Sequence, residues 1–510
     1  MDMDTQYEKI KDKRIAIFGT GNLQSDIMGL FTFNNLLYFV DDFYNEQSQE
    51  SFIPADKQVY DSAHLLNEDR NDLFILICDK DEDYAARRLE TMGFKEDIHY
   101  GFGEDLLINY PLFESIKSNR IHIWGAGNTY SYHKAEIFEY LDTIQSFIIS
   151  QSDNSPASIE GKPVIPFSEA QIAPGDFIIV CSIYYNEIAH LLENSGLKIG
   201  RDFINIRTFS LLGKLSTFST DNHSFVDRAK GSEELLVILS GYKNLVWESV
   251  FPRLKQYVPT QLDVVVVTSG LVNQELQLTC ERYGWSYVST ERNNVSLAVN
   301  VAISLHPKAK YIYKIDEDIF VTQGCFEMMR TTYDRVQAES KYEVGFVTPL
   351  IPVNGYGYVR LLEIFDAVKQ WEDRFGELVY TDCYHHHGTI HDSPAAALFM
   401  WGENNPKFVD IDEMARKLRE ADFQYSICPI RYSIGFILFT KRNWVRMGMF
   451  PIKKHLNLGA DEERICEFCL MHARVMVVAE NAIVGHLSYG PQHKVMAEYY
   501  CSHTKRFLPK

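Results

Sequence analysis

The chain has 510 residues, which at roughly 100–200 residues per domain allows about three to four domains with ample buried core. Its 46% hydrophobic and 23% charged residues are the balance of a folded globular protein and exclude wholesale disorder. With 50 Lys and Arg against 69 Asp and Glu, the formal charge of −19 repels polyphosphate backbones and argues against nucleic acid as a partner.

The first residues, MDMDTQYEKIKDKR, are charged and carry neither the apolar core nor the small-residue cleavage site of a secretion signal. Apolar runs such as 177–182 and 262–268 have strand length, short of the roughly 18–20 residues of a membrane helix. The nine cysteines are scattered singly except for Cys466-x-x-Cys469, a pattern suited to a reducing compartment. A cytoplasmic location is expected, with peripheral docking on the inner face of a membrane left open.

The N-terminal half repeats one pattern, over about 13–105 and again over 119–208. Arg14-Ile-Ala-Ile-Phe18 runs into Gly19-Thr-Gly-Asn22, and Arg120-Ile-His-Ile-Trp124 runs into Gly125-Ala-Gly-Asn128. Each copy continues with a helix-length segment and a second strand ending in acids, Asp41 and Asp42 in one and Asp153 in the other. A third strand and a further helix then follow, and this alternation predicts parallel, Rossmann-like sheets. Glycines after a first strand can bring backbone amides to a pyrophosphate, but the third glycine of G-x-G-x-x-G is replaced by Gln24 and Tyr130. Structural or assembly modules are therefore the favoured reading, with nucleotide or nucleotide-sugar binding in one copy as the alternative. The modules resemble the "WGAG"-type Rossmann-like domains attached to bacterial surface-polysaccharide enzymes, a resemblance that specifies no reaction. The expected boundaries are 1–112 and 113–215 for the two repeats, 216–232 for a polar linker, and 233–510 for a third domain. Tandem modules also offer surfaces for self-association into a homo-oligomer.

In the third domain, Glu234-Leu-Leu-Val-Ile-Leu-Ser240 reads as a buried strand leading into Gly241-Tyr242-Lys243. Asp263-Val-Val-Val-Val-Thr268 is the next parallel strand, a helix opens near Asn293, and Tyr311-Ile-Tyr-Lys-Ile315 delivers Asp316-Glu317-Asp318. Ligands of open parallel sheets bind at this edge, which makes Ser240 and Tyr242 candidate donor contacts. A D-x-D at a strand end has a chemical rationale: a divalent cation held by carboxylate oxygens can bridge the phosphates of a nucleoside diphosphate. The two acids, Asp316 and Asp318, can divide the work, one reaching the ribose or a metal-bound water and the other binding the metal. Taken alone, a D-x-D is more often a solvated turn.

In order, these segments resemble the nucleotide-binding half of family 2 glycosyltransferases, enzymes of the GT-A fold. The resemblance implies a mixed, mostly parallel α/β domain that transfers a sugar from a nucleoside-diphosphate sugar, with Mn2+ or Mg2+ as cofactor. In that family an Asn-bearing helix precedes the D-x-D strand, and Asn300 stands in that place. Tyr432-Ser-Ile-Gly435 looks like the strand that closes the acceptor site. Gly459-Ala-Asp461-Glu462-Glu463 resembles the acidic motif that supplies the catalytic base, with Glu462 or Asp461 in that role. A carboxylate there can deprotonate an acceptor hydroxyl as it attacks the anomeric carbon opposite the leaving group, which inverts the configuration. The family commonly places a histidine late in the chain as a further metal ligand, and His486 matches it. His493, Lys494 and Arg506 form a basic tail able to neutralise the leaving group, and Asn354 is a candidate acceptor contact.

Other patterns carry less. Cys466, Cys469 and His472 share a helical face but lack a fourth zinc ligand, so buried cysteines are expected. The run His385-His-His-Gly-Thr-Ile-His391-Asp392 reads as an acceptor loop or surface segment, because three adjacent histidines cannot all point one way. Where family 2 enzymes carry an acidic pair against the nucleobase, this chain has Val267-Thr268-Ser269-Gly270, and Asp263 lies early in the strand. The expected acceptor is a surface glycan, lipid-linked or oligosaccharide. A retaining transferase, an inactive nucleotide-sugar-binding scaffold or sensor, and a nicotinamide-dependent oxidoreductase are the competing readings.

Overall fold

The computed structural model describes residues 6–44, 53–54, 56–79, 81–107, 116, 119–137, 143–150, 156–212, 223–339, 341–381, 387–408, 410–452 and 459–510. The chain divides into two compact units, Met1–Thr220 and Asp221–Lys510.

The first unit contains two sheets built to one plan. Strands β1 (Arg14–Phe18), β2 (Leu36–Val40), β3 (Val59–Tyr60), β4 (Leu73–Ile77) and β5 (Tyr100–Phe102) form an all-parallel sheet in the order β3-β2-β1-β4-β5. The second comprises β6 (Arg120–Trp124), β7 (Ile144–Ile149), β8 (Ser158–Ile159), β9 (Lys162–Pro166), β10 (Asp176–Val180) and β11 (Phe203–Asn205). Its order, β11-β10-β6-β7-β9-β8, is the same arrangement with one antiparallel edge strand added. The likeness extends to register: β1 slips against β2 between Ile15 and Ala16, and β6 slips against β7 between Ile121 and His122. The helices of this unit include α1 (Asn22–Leu30), α2 (Glu82–Thr91), α3 (Asn128–Ile137) and α4 (Tyr185–Asn194).

The first glycine of each copy has a packing role. Gly19 and Gly125 have φ of +110° and +96°, and a Cβ would lie 2.5 Å from the Asp79 amide nitrogen at one and 2.7 Å from the Cys181 carbonyl at the other. The acids at the end of β2 are also engaged: Asp41 accepts from the Thr20 hydroxyl at 2.6 Å, and Asp42 accepts from Ser62 N and the Tyr84 hydroxyl. Asp153 lies outside the described residues.

The second unit is built on a nine-stranded mixed sheet, ordered β12-β15-β14-β13-β16-β20-β18-β21-β19. Its strands are β12 (His223–Val226), β13 (Glu234–Leu239), β14 (Asp263–Ser269), β15 (Ser286–Thr290), β16 (Tyr311–Asp316), β18 (Glu343–Leu350), β19 (Tyr425–Cys428), β20 (Phe436–Thr440) and β21 (Arg474–Ile483). Neighbours from β15 to β16 run parallel, and β20 is antiparallel to β16. A separate ribbon pairs β17 (Ile319–Phe320) with β22 (Gly485–His486). The helices that matter below are α5 (Trp247–Tyr257), α6 (Gln274–Tyr283), α7 (Val295–Ser304), α8 (Cys325–Ala338), α9 (Ile411–Glu420), α10 (Ala460–Met471) and α11 (His493–Ser502).

The expected linker 216–232 is ordered in its second half. β12 pairs antiparallel with β15, and the amides of Lys230, Gly231 and Ser232 all donate to the buried Asp263 carboxylate. Asp263 thus fixes the entry to β13. Fully buried Arg253 of α5 holds Asp412 of α9 through two nitrogens at 2.8 and 2.7 Å and donates to the carbonyls of Val321, Phe507 and Leu508. The end of the chain is thereby bound into this unit. No helix among the described residues is long and apolar enough to cross a membrane.

Candidate active site

The strand order reverses between β14-β13 and β13-β16, and the C-terminal ends of β13 and β16 are where an open α/β sheet of this order places its ligand crevice. Asp316-Glu317-Asp318 stands there. Pairing of Leu239 with Asp316 brings the loop 240–243 alongside the acids, and the β17–β22 ribbon sets His486 beside them.

The three acids have different surroundings. Asp318 is 5% exposed. Its Oδ2 receives Lys243 Nζ at 2.6 Å and lies 3.2 Å from His486 Nε2. Its Oδ1 is buried without a hydrogen-bond partner among the described residues. Burial would raise the Asp318 pKa, but His486 and Lys243 outweigh it and hold the carboxyl well below its usual range. Asp316 turns the other way, its Oδ1 accepting from Lys314 Nζ at 2.8 Å. Lys314 is buried and lies 3.3 Å from Asp461 Oδ2, so one ammonium joins the motif to the start of α10. Burial favours loss of the Lys314 proton, but Asp316 and Asp461 more than offset it and raise the pKa.

Glu317, between them, accepts five hydrogen bonds: from Ser240 Oγ at 3.0 Å, the amides of Gly241, Tyr242 and Lys243 at 2.8–2.9 Å, and Trp247 Nε1 at 2.7 Å. The loop after β13 is folded around this carboxylate. Ser240 is therefore buried against Glu317, while the exposed Tyr242 ring directs its hydroxyl to Ser269 O at 2.6 Å.

On the opposite side, β20 begins beside β16 and α10 points its first turn at the same edge. Glu462 accepts from Arg431 Nε at 2.6 Å and from Ile434 N at 3.3 Å. Burial raises its pKa, and Arg431 opposes the shift only in part. Asn354 is buried, its Oδ1 accepting the amides of Tyr356 and Gly357 at 2.9 Å, and its side chain also meets the Tyr489 hydroxyl together with Ser433. The Tyr489 ring lies 5.5 Å from that of His486 and 4.8 Å from that of His391.

The crevice thus brings together Asp316, Asp318, His486, Asp461, Glu462, Asn354, Ser240 and Tyr242. Asn300 is elsewhere: it is wholly buried, its Oδ1 accepting from Trp444 Nε1 and Phe450 N and its Nδ2 donating to Phe450 O, a clamp between α7 and the chain after β20. His493 and Lys494 are exposed at the start of α11, and Arg506 packs on Tyr499 and the Trp401 carbonyl. Cys466 and Cys469 are buried, Cys466 Sγ meeting the Tyr432 carbonyl. Within the histidine run, His385 and His386 lie outside the described residues.

Among the described residues no three His, Cys, Asp or Glu side chains converge as a ready-made metal cage, and Asp316 is drawn away by Lys314. Asp318 and His486 nonetheless fit a hard divalent ion, because the Oδ1 of Asp318 itself is buried with no partner among the described residues. Lys243, Lys314, Arg431, Glu317 and Tyr489 have no site role in the sequence reading. Lys243, Lys314 and Glu317 carried the signal of lying within segments already singled out, whereas Arg431 did not.

No model of a known protein family matches the chain, and no curated protein matches it. Solved structures similar in part include GalNAc-T7 with UDP, GalNAc and Mn2+, at 10% identity over 54% of this chain and 51% of that one, with a TM-score of 0.31. Another is the mannosyltransferase PcManGT from Pyrobaculum calidifontis in complex with GDP-Man and Mn2+, at 12% identity over 58% of this chain and 70% of that one, also with a TM-score of 0.31. The chain spans about half the length of the GalNAc-T7 structure, 51%. At these TM-scores neither superposition bears on the site, whose reading rests on its own geometry.

Proposed function

We propose that the second unit transfers a sugar from a nucleoside-diphosphate sugar to a hydroxyl of a glycan acceptor, with inversion at the anomeric carbon. The observation that carries this reading is the meeting, at one sheet edge, of a cation-seeking pair, Asp318 and His486, with a second acidic group, Asp461 and Glu462, across the crevice. The first suits a departing diphosphate and the second an attacking hydroxyl. Asp318 and His486 would hold a divalent cation, Mn2+ or Mg2+, which would supply charge neutralisation for the leaving group.

Within this reading the chain's own residues divide the work. Glu462 takes the acceptor proton. Arg431 and Ile434 N fix its direction, and its raised pKa makes it a stronger base than an exposed carboxylate once ionised. Asp461 shares Lys314 with Asp316 and acts as a positioning residue. Asn354 and Tyr489 line the acceptor side, and the exposed ring of Tyr242 offers a face to the nucleobase. The acceptor class follows the sequence resemblance, a surface glycan that is lipid-linked or an oligosaccharide.

The test is nucleotide release without acceptor, scanning UDP-, GDP-, CDP- and dTDP-sugars with Mn2+ or Mg2+. One donor should be hydrolysed slowly, and release should stop with EDTA or in Asp318→Ala. Absence of release from every donor, with no thermal stabilisation by any nucleotide, would turn the reading toward an inactive scaffold.

A further inference from the structure

Two buried carboxylates at the crevice are neutralised by lysines of opposite character. Lys314 belongs to β16 itself, and its side chain is 3% exposed and wedged between Asp316 and Asp461. It is a fixed structural cation. Lys243 lies on the loop after β13, and its side chain is 45% exposed although its ammonium rests on a carboxylate that is 8% exposed. Its backbone is fixed, since the Lys243 amide donates to Glu317 at 2.9 Å. The side chain can therefore swing from an anchored base, toward Asp318 or outward over the mouth of the crevice.

The ammonium and His486 meet the same oxygen, Asp318 Oδ2, while Oδ1 has no partner among the described residues. The lysine ammonium holds the same carboxylate oxygen that faces His486, and a divalent ion taken up there would compete with that ammonium for Asp318. Resting on the reading of the site given above, we propose that Lys243 is a displaceable cation latch: its ammonium holds Asp318 in the donor-free protein, competes with the divalent ion for it, and transfers to the diphosphate when the donor arrives. The resting site would then neither strand a buried carboxylate nor sequester metal without substrate, and the released ammonium would add a second positive charge where negative charge develops.

The test is Mn2+ binding to the full chain without nucleotide, read from the electron paramagnetic resonance signal of free Mn2+. Lys243→Met and Lys243→Gln, which remove the competing charge, should each bind Mn2+ roughly tenfold or more tightly than the native protein. Lys243→Arg should stay near the native affinity. Equal affinities in the native, Met and Gln proteins, with binding abolished by Asp318→Asn, would overturn the latch while leaving the metal reading intact. Tight Mn2+ binding that survives Asp318→Asn would instead overturn the metal reading itself. No detectable binding to the Met and Gln variants would also overturn the latch.

Discussion

The two acids opening α10 present the same charge to the crevice but make different commitments. Asp461 is tied to a lysine that also serves Asp316, so its removal should disturb the motif through Lys314. Glu462 is tied to an arginine and a backbone amide that orient it. Glu462→Gln should therefore lower kcat for transfer to acceptor by about 10²–10⁴-fold with donor KM nearly unchanged, the loss of a general base. Asp461→Asn should raise donor KM as well, because Lys314 loses a partner. Steady-state kinetics separate the two, and a Glu462→Gln protein with native kcat would remove Glu462 from the role. The alternate acids of the motif were legible in sequence because a strand followed by D-x-D is a recognisable pattern. Their partners were not: Lys314 faces Asp461 only because α10, more than a hundred residues later in the chain, ends up against β16. The core clamp made by Asn300 was not legible, since a polar residue on an otherwise apolar helix looks the same whether it meets a ligand or clamps a core.

At the scale of elements, the loop 240–243 owes its shape to one side chain. Three backbone amides, a hydroxyl and an indole N–H converge on Glu317, and the buried Ser240 hydroxyl and Trp247 indole lose this acceptor once that carboxylate goes. Glu317→Gln would turn an amide N–H2 toward donors and should cost on the order of 3 kcal/mol in the second unit. In hydrogen exchange, the amides of Gly241, Tyr242 and Lys243 should be protected in the native chain and become fast in the variant, while β14 and α6 keep their protection. Retained protection at 241–243 would mean the loop is held by something else. The core strands of this unit were legible from their apolar runs, β13, β14 and β16 among them, because burial on both faces leaves little room for polar residues. β12 was not: His223-Ser-Phe-Val226 is short and half exposed at a sheet edge, where backbone pairing needs no apolar pattern.

Across the molecule, the first unit holds its two sheets together through a buried polar junction that no sequence pattern announces. Asp26 of α1 is completely buried and accepts from the Tyr185 hydroxyl at the start of α4 and from Thr208 Oγ1 at 2.5 Å, while Ser25 Oγ meets Asn186 at 3.2 Å. Burial raises the Asp26 pKa to about 7, against the lowering by its hydroxyl partners. A carboxyl whose folded pKa lies above its unfolded value binds more protons in the folded state between the two. The contribution of Asp26 to stability is thus greatest at low pH, declines as pH rises from about 4 to about 7, and is level above. The span of the effect is on the order of a few kcal/mol. Asp26→Asn, which keeps a donor and an acceptor and cannot ionise, should match the native protein near pH 4 and exceed its stability by a margin that grows to about pH 7 and is level above. Hydrogen exchange of α1 and α4 in the full chain, corrected for intrinsic rates, measures this locally. Native and variant protection running parallel from pH 5 to pH 8 would show that folded Asp26 binds no extra proton over that range, so that its pKa is not raised. Native protection falling behind that of the variant between pH 5 and pH 7, and running level with it above, would mean that the two repeat sheets are held less firmly because this carboxyl must stay protonated in the folded junction while the open state ionises.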